Sequence, residues 1–379
     1  MKRIRITGAL AFLVNGMLAV MTGTIITYLE RDYGISDNIA GRLVAAQSVG
    51  NLIMVLLSGF VIQLIGKKKT LLLFPIFFAI GFGGIAMTDN VWLLFACFIL
   101  TGLGWGLCNN ILNNIIMGDS EGGGITVLYT CYAIGSFLGP FMVTRVIDLG
   151  ATWKMAVIIV AVAAVLLIPG FLGAKAEALE SKDKREKITA KDFAFFKNPR
   201  YYICMVLYFG YIGVEVSVNS WIITYLTRTG LLSTKGAEDL FSLYWLIIIG
   251  VRLLTGAVLK KVPRAILLWI QWIGFALGTT ALLLCTNGTQ AIVFMIIMAV
   301  FMAAISPVNA DNADVFIAGK GISGGIMFAV GCAGSTVLPM IVGNVAESHG
   351  IAQGMRIIVM VMYIMIAVCG VNFVIKRRK

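Results

Sequence analysis

The sequence predicts an all-α membrane protein: twelve transmembrane helices in two pseudo-symmetric six-helix halves. Three observations point there. Apolar residues make up 59% of the 379-residue chain and charged residues only 13%, with a mean hydropathy of +0.94, whereas soluble domains hold about 25% charged residues. The apolar residues fall in continuous runs long enough to cross a ~30 Å hydrocarbon core, which takes ~20 helical residues, and not in the alternating pattern of a β-barrel. The chain also repeats itself: IITYLER at Ile25–Arg31 returns as IITYLTR at Ile222–Arg228.

Taken in order, the spans run over residues 4–28, 38–65, 70–88, 91–117, 122–146, 153–172, 201–227, 239–259, 264–285, 291–317, 322–346 and 355–375. The links are short except for residues 173–200, which are charged and polar with some helical character. They divide an N-terminal six-helix half (1–172) from a C-terminal one (201–379) and form a cytoplasmic linker. The basic head and apolar body of the first span mimic a signal peptide. No small-x-small cleavage site follows, so it reads as a retained helix.

The net charge of +12 orients the chain and implies no nucleic-acid partner. Lys and Arg gather at the N-terminus, in Lys67–Lys69, in residues 173–200 and at Lys376–Lys379. By the positive-inside rule these segments and both termini are cytoplasmic. The seven cysteines all lie in apolar runs without metal-ligand spacing and read as packing residues.

The repeat extends beyond one motif. At a near-constant offset Ser36 matches Ser233, Asn110 and Asn113 match Asn309 and Asn312, Gly135 matches Gly334, and Pro140 matches Pro339. Equivalent spans cross in the same direction, so the repeats are parallel about an axis along the membrane normal. Local motifs agree: GFVIQLIGKKK (Gly59–Lys69), GAVLKKVPR (Gly256–Arg264), GSFLGP (Gly135–Pro140) and GVRLLTG (Gly250–Gly256). With these motifs the chain resembles the major facilitator superfamily over its whole length. It departs from that family's loop signature at Gln63 and Leu64, where an Asp and an Arg are usual. The run GVEVSVNSWIITYL (Gly213–Leu226) looks most like span 7 of fucose-permease-like sugar transporters.

Polar side chains inside apolar spans cost free energy, about 2.5–3.5 kcal/mol for a central charge, and tend to line a cavity. At helical spacing, span 7 aligns Tyr208, Tyr211, Glu215 and Asn219, and span 4 aligns Thr101, Trp105, Asn109 and Asn113. Span 1 offers Asn15 and Thr22, span 2 Gln47 and Asn51, span 5 Tyr129, Tyr132 and Ser136, span 8 Trp245 and Arg252, and span 10 Ser306 and Asn309. Aromatic rings beside amides and a carboxylate suit a sugar, whose CH faces pack on the rings while its hydroxyls pair with Asn, Gln and Glu. The expected substrate-binding set is Asn15, Thr22, Gln47, Asn51, Trp105, Asn109, Tyr132, Tyr211, Glu215, Asn219, Trp245 and Asn309. For each Asn an interhelical hydrogen bond is the alternative. Arg252 either pairs with a carboxylate or snorkels to the cytoplasmic face; with Asp311 and Asp314 it forms a gating set. Trp92, Trp153 and Trp269 read as interface anchors.

These readings converge on a secondary transporter working by alternating access on a small polar solute, a sugar, bound between the halves near the midplane. There is no GxxxxGK[ST] run for ATP and no HExxH, so the expectation is no enzyme, no cofactor and no metal. Partners are the solute, a coupled proton or sodium ion and the bilayer, and the protein is a monomer of a bacterial inner membrane. Glu215 is the candidate proton-coupling group, since removal from water disfavours its charged form. The absence of a second acid in the centres of spans 1 and 4, where fucose permeases place ionisable groups, keeps an uncoupled or sodium-linked carrier open. A multidrug or organic-solute exporter of the same superfamily is the further alternative, disfavoured by the amide-rich stripes.

Overall fold

A computed structural model describes residues 2–117, 124–173, 190–258, 263–317 and 321–377. Every regular element among the described residues is helical. In chain order these are α1 (Lys2–Tyr33), α2 (Asp37–Ile65), α3 (Lys67–Met87), α4 (Val91–Met117), α5 (Gly124–Asp148), α6 (Trp153–Leu166), α7 (Ile168–Leu172), α8 (Pro199–Arg228), α9 (Thr234–Val258), α10 (Arg264–Leu283), α11 (Gly288–Met302), α12 (Ile305–Ile317), α13 (Gly321–His349) and α14 (Ile351–Arg377). Eleven helical stretches are long and apolar enough to cross a membrane. The twelfth expected span falls on α9, whose apolar stretch carries one charged residue, Arg252.

The chain divides into two compact units. The first comprises Met1–Ile35 and Arg42–Arg185. Its closest crossing is α1 on α5, where the two backbones touch through glycines. A Cβ at Gly16 would stand 1.9 Å from the Tyr132 carbonyl oxygen, and one at Gly135 1.9 Å from that of Leu13. In lipid there is no hydrophobic drive between helices, so close van der Waals approach through small residues replaces it. Gly102 does the same between α4 and α2, facing the Gln47 carbonyl. On α3, Phe74, Phe78 and Phe82 lie at four-residue spacing, and Phe74 meets Phe171 of α7 edge-on at 5.3 Å. Span 6 is two helices, because the Ile168-Pro169 step starts α7 afresh.

Trp153 corrects one expectation. It does not anchor at an interface but is 3% exposed, stacked on Tyr28 at 6.1 Å, with its indole N–H donating to Asp32 Oδ2 at 2.8 Å. Trp92, at 81% exposure, and Trp269 do face outward.

The second unit comprises Ser36–Gly41 and Glu186–Lys379. Here α13 crosses α8 as α5 crosses α1: Gly334, the sequence equivalent of Gly135, faces the Phe209 carbonyl, and Gly213 faces the Gly334 carbonyl. Below this crossing a 3-10 turn (Ala190–Lys197) places Phe195 against Tyr201, Phe316 and Met327. The first turn of α2 also belongs to this unit. The Asp37 carboxylate pairs with both terminal nitrogens of Arg228 at 2.6 and 2.7 Å, and the Asn38 N–H donates to Glu347 Oε2 at 2.8 Å. Arg228 closes the repeated IITYLxR motif; its equivalent, Arg31, pairs with its neighbour Asp32 instead.

Two outcomes follow for stability. Gly135→Leu and Gly334→Leu each force a helix pair apart and should destabilise by about 1–3 kcal/mol, the usual range for overpacking. Gly59→Ala and Gly250→Ala, whose added Cβ would meet nothing within 4 Å, should leave the thermal midpoint unchanged. In a double-mutant cycle, Asp37→Ala and Arg228→Ala should be non-additive by roughly 1–3 kcal/mol; additive losses would show the ion pair to be idle.

Candidate functional site

In the second unit the site begins at a break in a helix. Span 10, expected to be continuous, stops at Met302 and restarts at Ile305. The cause is Pro307, which has no N–H to give the carbonyl four residues back, that of Ala303. A carbonyl without a donor is costly in a medium without water. Arg252 of α9 supplies the donor: its Nε lies 2.9 Å from Ala303 O. Tyr244, two turns earlier on α9, donates its hydroxyl to Met302 Sδ beside the same break. Arg252 thereby holds backbone across the break.

The polar face of α8 carries Tyr211, Glu215 and Asn219, with Glu215 half-buried and Tyr211 and Asn219 buried. Tyr211 lies beside both Glu215 and Ser306 of α12, yet its hydroxyl closes no hydrogen bond within 3.5 Å. Among the described residues the direct bond of Arg252 goes to Ala303 and not to a carboxylate.

Several buried polar atoms around this cluster have no partner among the described residues: the Tyr211 hydroxyl, Asn219 Oδ1, the Trp245 indole N–H and both amide atoms of Asn309. Asn309 is 1% exposed and Trp245 fully buried. Native interiors leave few such atoms unsatisfied, so each asks for an occupant. Together they offer donors, acceptors and ring faces, and they suit a neutral ligand rich in hydroxyls.

The first unit arranges its polar residues differently. Asn15 Nδ2 donates to Asn109 Oδ1 at 2.9 Å. Thr22 donates to Gln47 Oε1 at 3.1 Å, and Gln47 Nε2 donates to Thr101 Oγ1 at 3.1 Å. This chain ties α1, α2 and α4 together, so Thr22 and Gln47 hold helices. Asn15 keeps a free Oδ1, and Trp105 an unpartnered indole N–H. Asn51 lies buried against Gly106, and Tyr132 is half-buried on α5, where its carbonyl meets Gly16. Asp311 and Asp314 fall on α12, but their side chains, like that of Asn113, lie outside the described residues.

Sequence reasoning passed over Tyr244 and the break at Pro307. Tyr244 is one residue from Trp245 and on an apolar helix looks like packing. Pro307 was legible in principle, since a proline two residues after Ile305 marks the first turn of a new helix.

The fold is that of a polytopic helical carrier, and comparison with known families agrees. The family model described as Major Facilitator Superfamily matches residues 8–339, and the chain belongs to that superfamily, whose members are transporters and not enzymes. Among relatives, the TsgA homologue of Buchnera aphidicola is 18% identical over 241 residues, 62% of this chain and 61% of the relative. The MFS-type transporter YcaD of Escherichia coli is 26% identical over 150 residues, 37% of this chain and 39% of the relative. The matches thus span about three fifths or less of those relatives' length. Among solved structures, the nucleoside transporter NupG superposes with a TM-score of 0.79 at 14% identity, covering 100% of this chain and 99% of that one. The D-xylose-proton symporter gives 0.77 at 18% identity, covering 96% of each. These likenesses establish the fold.

The geometry separates polar residues bonded to other helices from those whose buried atoms lack partners among the described residues. Thr22→Val strands the buried Gln47 Oε1 and should lower stability by about 1 kcal/mol. Gln47→Leu leaves Thr22 and Thr101 on the Leu18 and Phe98 carbonyls and should cost nearer the ~0.6 kcal/mol mean for interhelical pairs in membranes. Asn219→Ala and Asn309→Ala, at atoms without protein partners, should leave the thermal midpoint within the error of the measurement while weakening ligand binding.

Proposed function

We propose that the chain is a secondary transporter of a small polar solute, a sugar, working by alternating access with Glu215 as the proton-coupling group. The observation that carries this reading is the half-buried carboxyl at 215, on the α8 face whose Tyr211 and Asn219 keep buried polar atoms that no group among the described residues satisfies. A carboxyl that passes between water and a drier site changes its balance of charged and neutral forms. Charge at this position thereby changes with the group's access to water, which is what coupling requires. The unpartnered Tyr, Trp and Asn atoms match the donors and acceptors of a sugar hydroxyl face.

Two likenesses favour this substrate class. The run Gly213–Leu226 resembles span 7 of fucose-permease-like transporters, and the solved neighbours include a D-xylose-proton symporter and a nucleoside transporter, both of whose ligands present a sugar ring. The basic segments named above put both termini in the cytoplasm, and we place the protein, as a monomer, in a bacterial inner membrane.

The test is flux in proteoliposomes. Addition of the transported monosaccharide should alkalinise the medium with the native chain. Glu215→Gln should abolish that proton movement while sugar counterflow persists. Proton uptake by Glu215→Gln at the native rate would remove Glu215 from coupling. Sugar flux without proton movement in the native chain would identify an uncoupled or sodium-linked carrier. Dye efflux with no sugar counterflow would identify an exporter. The solute itself is found by a thermal-shift screen against monosaccharides, since a ligand of the folded state stabilises it by RT ln(1 + [L]/Kd).

A further inference from the structure

We infer that the 3-10 turn Ala190–Lys197 rests on the bilayer and that the partner of its outward face is an acidic lipid surface. The last turn of the linker is then a membrane-surface element and not a free tether.

A 3-10 helix repeats every three residues, so side chains at i and i+3 eclipse. Phe193 and Phe196 stand in that relation, with their rings 2° from parallel at 6.4 Å. Both are exposed. Phe195 falls on a different face and is buried against Tyr201, Phe316 and Met327. One phenylalanine thus fastens the turn to the second unit, and two others face outward. Lys197 is exposed on a third face. The local sequence KITAKDFAFFK (Lys187–Lys197) holds three lysines against one aspartate.

Two observations put lipid against the outward rings. The turn runs directly into α8, whose 30 residues extend about 45 Å at ~1.5 Å each. A bilayer measures ~40–45 Å with its headgroup layers. The first turn of α8, and Phe193 to Lys197 just before it, therefore lie at headgroup level. The rings also continue the lipid face of α8. Phe196 meets Tyr202 at 6.4 Å, and Tyr202 and Val206, one helical turn apart, are both exposed. Helical spacing sets this strip nearly opposite the face of Tyr211, Glu215 and Asn219. Rings beside lysines suit the place: the rings enter the boundary of headgroups and acyl chains, while the ammonium groups meet acidic headgroups.

Fluorescence of the full chain in vesicles tests this. With the seven native cysteines replaced, Phe193→Cys carries an NBD group, one apolar ring in place of another. The vesicles are phosphatidylcholine alone or mixed with phosphatidylglycerol. The quenchers are a lipid with a nitroxide near its headgroup and a neutral water-soluble nitroxide. In phosphatidylglycerol vesicles the lipid nitroxide should quench the label and the aqueous one should not. Lys197→Gln should lower the ratio of docked to undocked label roughly fivefold there, the effect of one charge at an acidic surface. It should change nothing in phosphatidylcholine. Tyr202→Cys, labelled in the same way, should be quenched by lipid throughout and reports that α8 is intact. If Phe193→Cys does not fold, Phe196→Cys takes its place. A label quenched only from water would overturn the inference, as would one shielded from both quenchers, which would mean a protein partner. Equal lipid quenching in the two kinds of vesicle would also overturn it, since the turn would then have no preference for acidic lipid.

Discussion

The structure depends on one constraint: within hydrocarbon, no backbone carbonyl can be left without a donor. Regular helices meet it alone, and most of this chain is regular helix. At Pro307 the regularity fails, and a cation from a neighbouring helix must come to Ala303. That demand fixes where Arg252 sits on α9, the helix whose Tyr244 meets Met302 beside the same break. A local defect in hydrogen bonding thereby becomes the organising point of a polar cluster on α8, α9 and α12.

Around that point the units are held by close approach. The glycine contacts of α1 with α5, and of α8 with α13, place backbone against backbone at sequence-equivalent positions. Such crossings gain van der Waals contact that bulky residues would prevent. The polar residues divide into two kinds against this frame. In the first unit Thr22, Gln47 and Thr101 satisfy one another across three helices. In the second, Tyr211, Asn219, Trp245 and Asn309 keep atoms that no group among the described residues satisfies. The first kind holds helices, and the second is the set we propose to meet the solute.

Much of this was legible in the sequence, for physical reasons. Membrane spans declare themselves because burial in lipid demands long apolar runs, and the paired glycines and prolines marked equivalent crossings. The face Tyr211, Glu215, Asn219 followed from helical spacing alone. Partner choice was not legible: a Thr and a Gln on different spans look the same whether they bind a solute or each other. Arg252 showed the limit most clearly, since its direct partner is a main-chain oxygen, and backbone atoms leave no mark in a sequence. Only the missing N–H of Pro307 hinted at that vacancy. Trp153 misled because a tryptophan near a span end looks like an interface anchor, and nothing local announces its bond to Asp32, 121 residues away.

The central claim is that the polar face of α8 meets water and solute, not lipid. Thiol labelling measures this directly. In a background with the seven native cysteines replaced, Glu215→Cys and Asn219→Cys are exposed to a small, membrane-impermeant thiol reagent with and without the transported solute. The account predicts labelling at both positions and protection by solute. Labelling only by a lipid-soluble reagent, indifferent to solute, would contradict it.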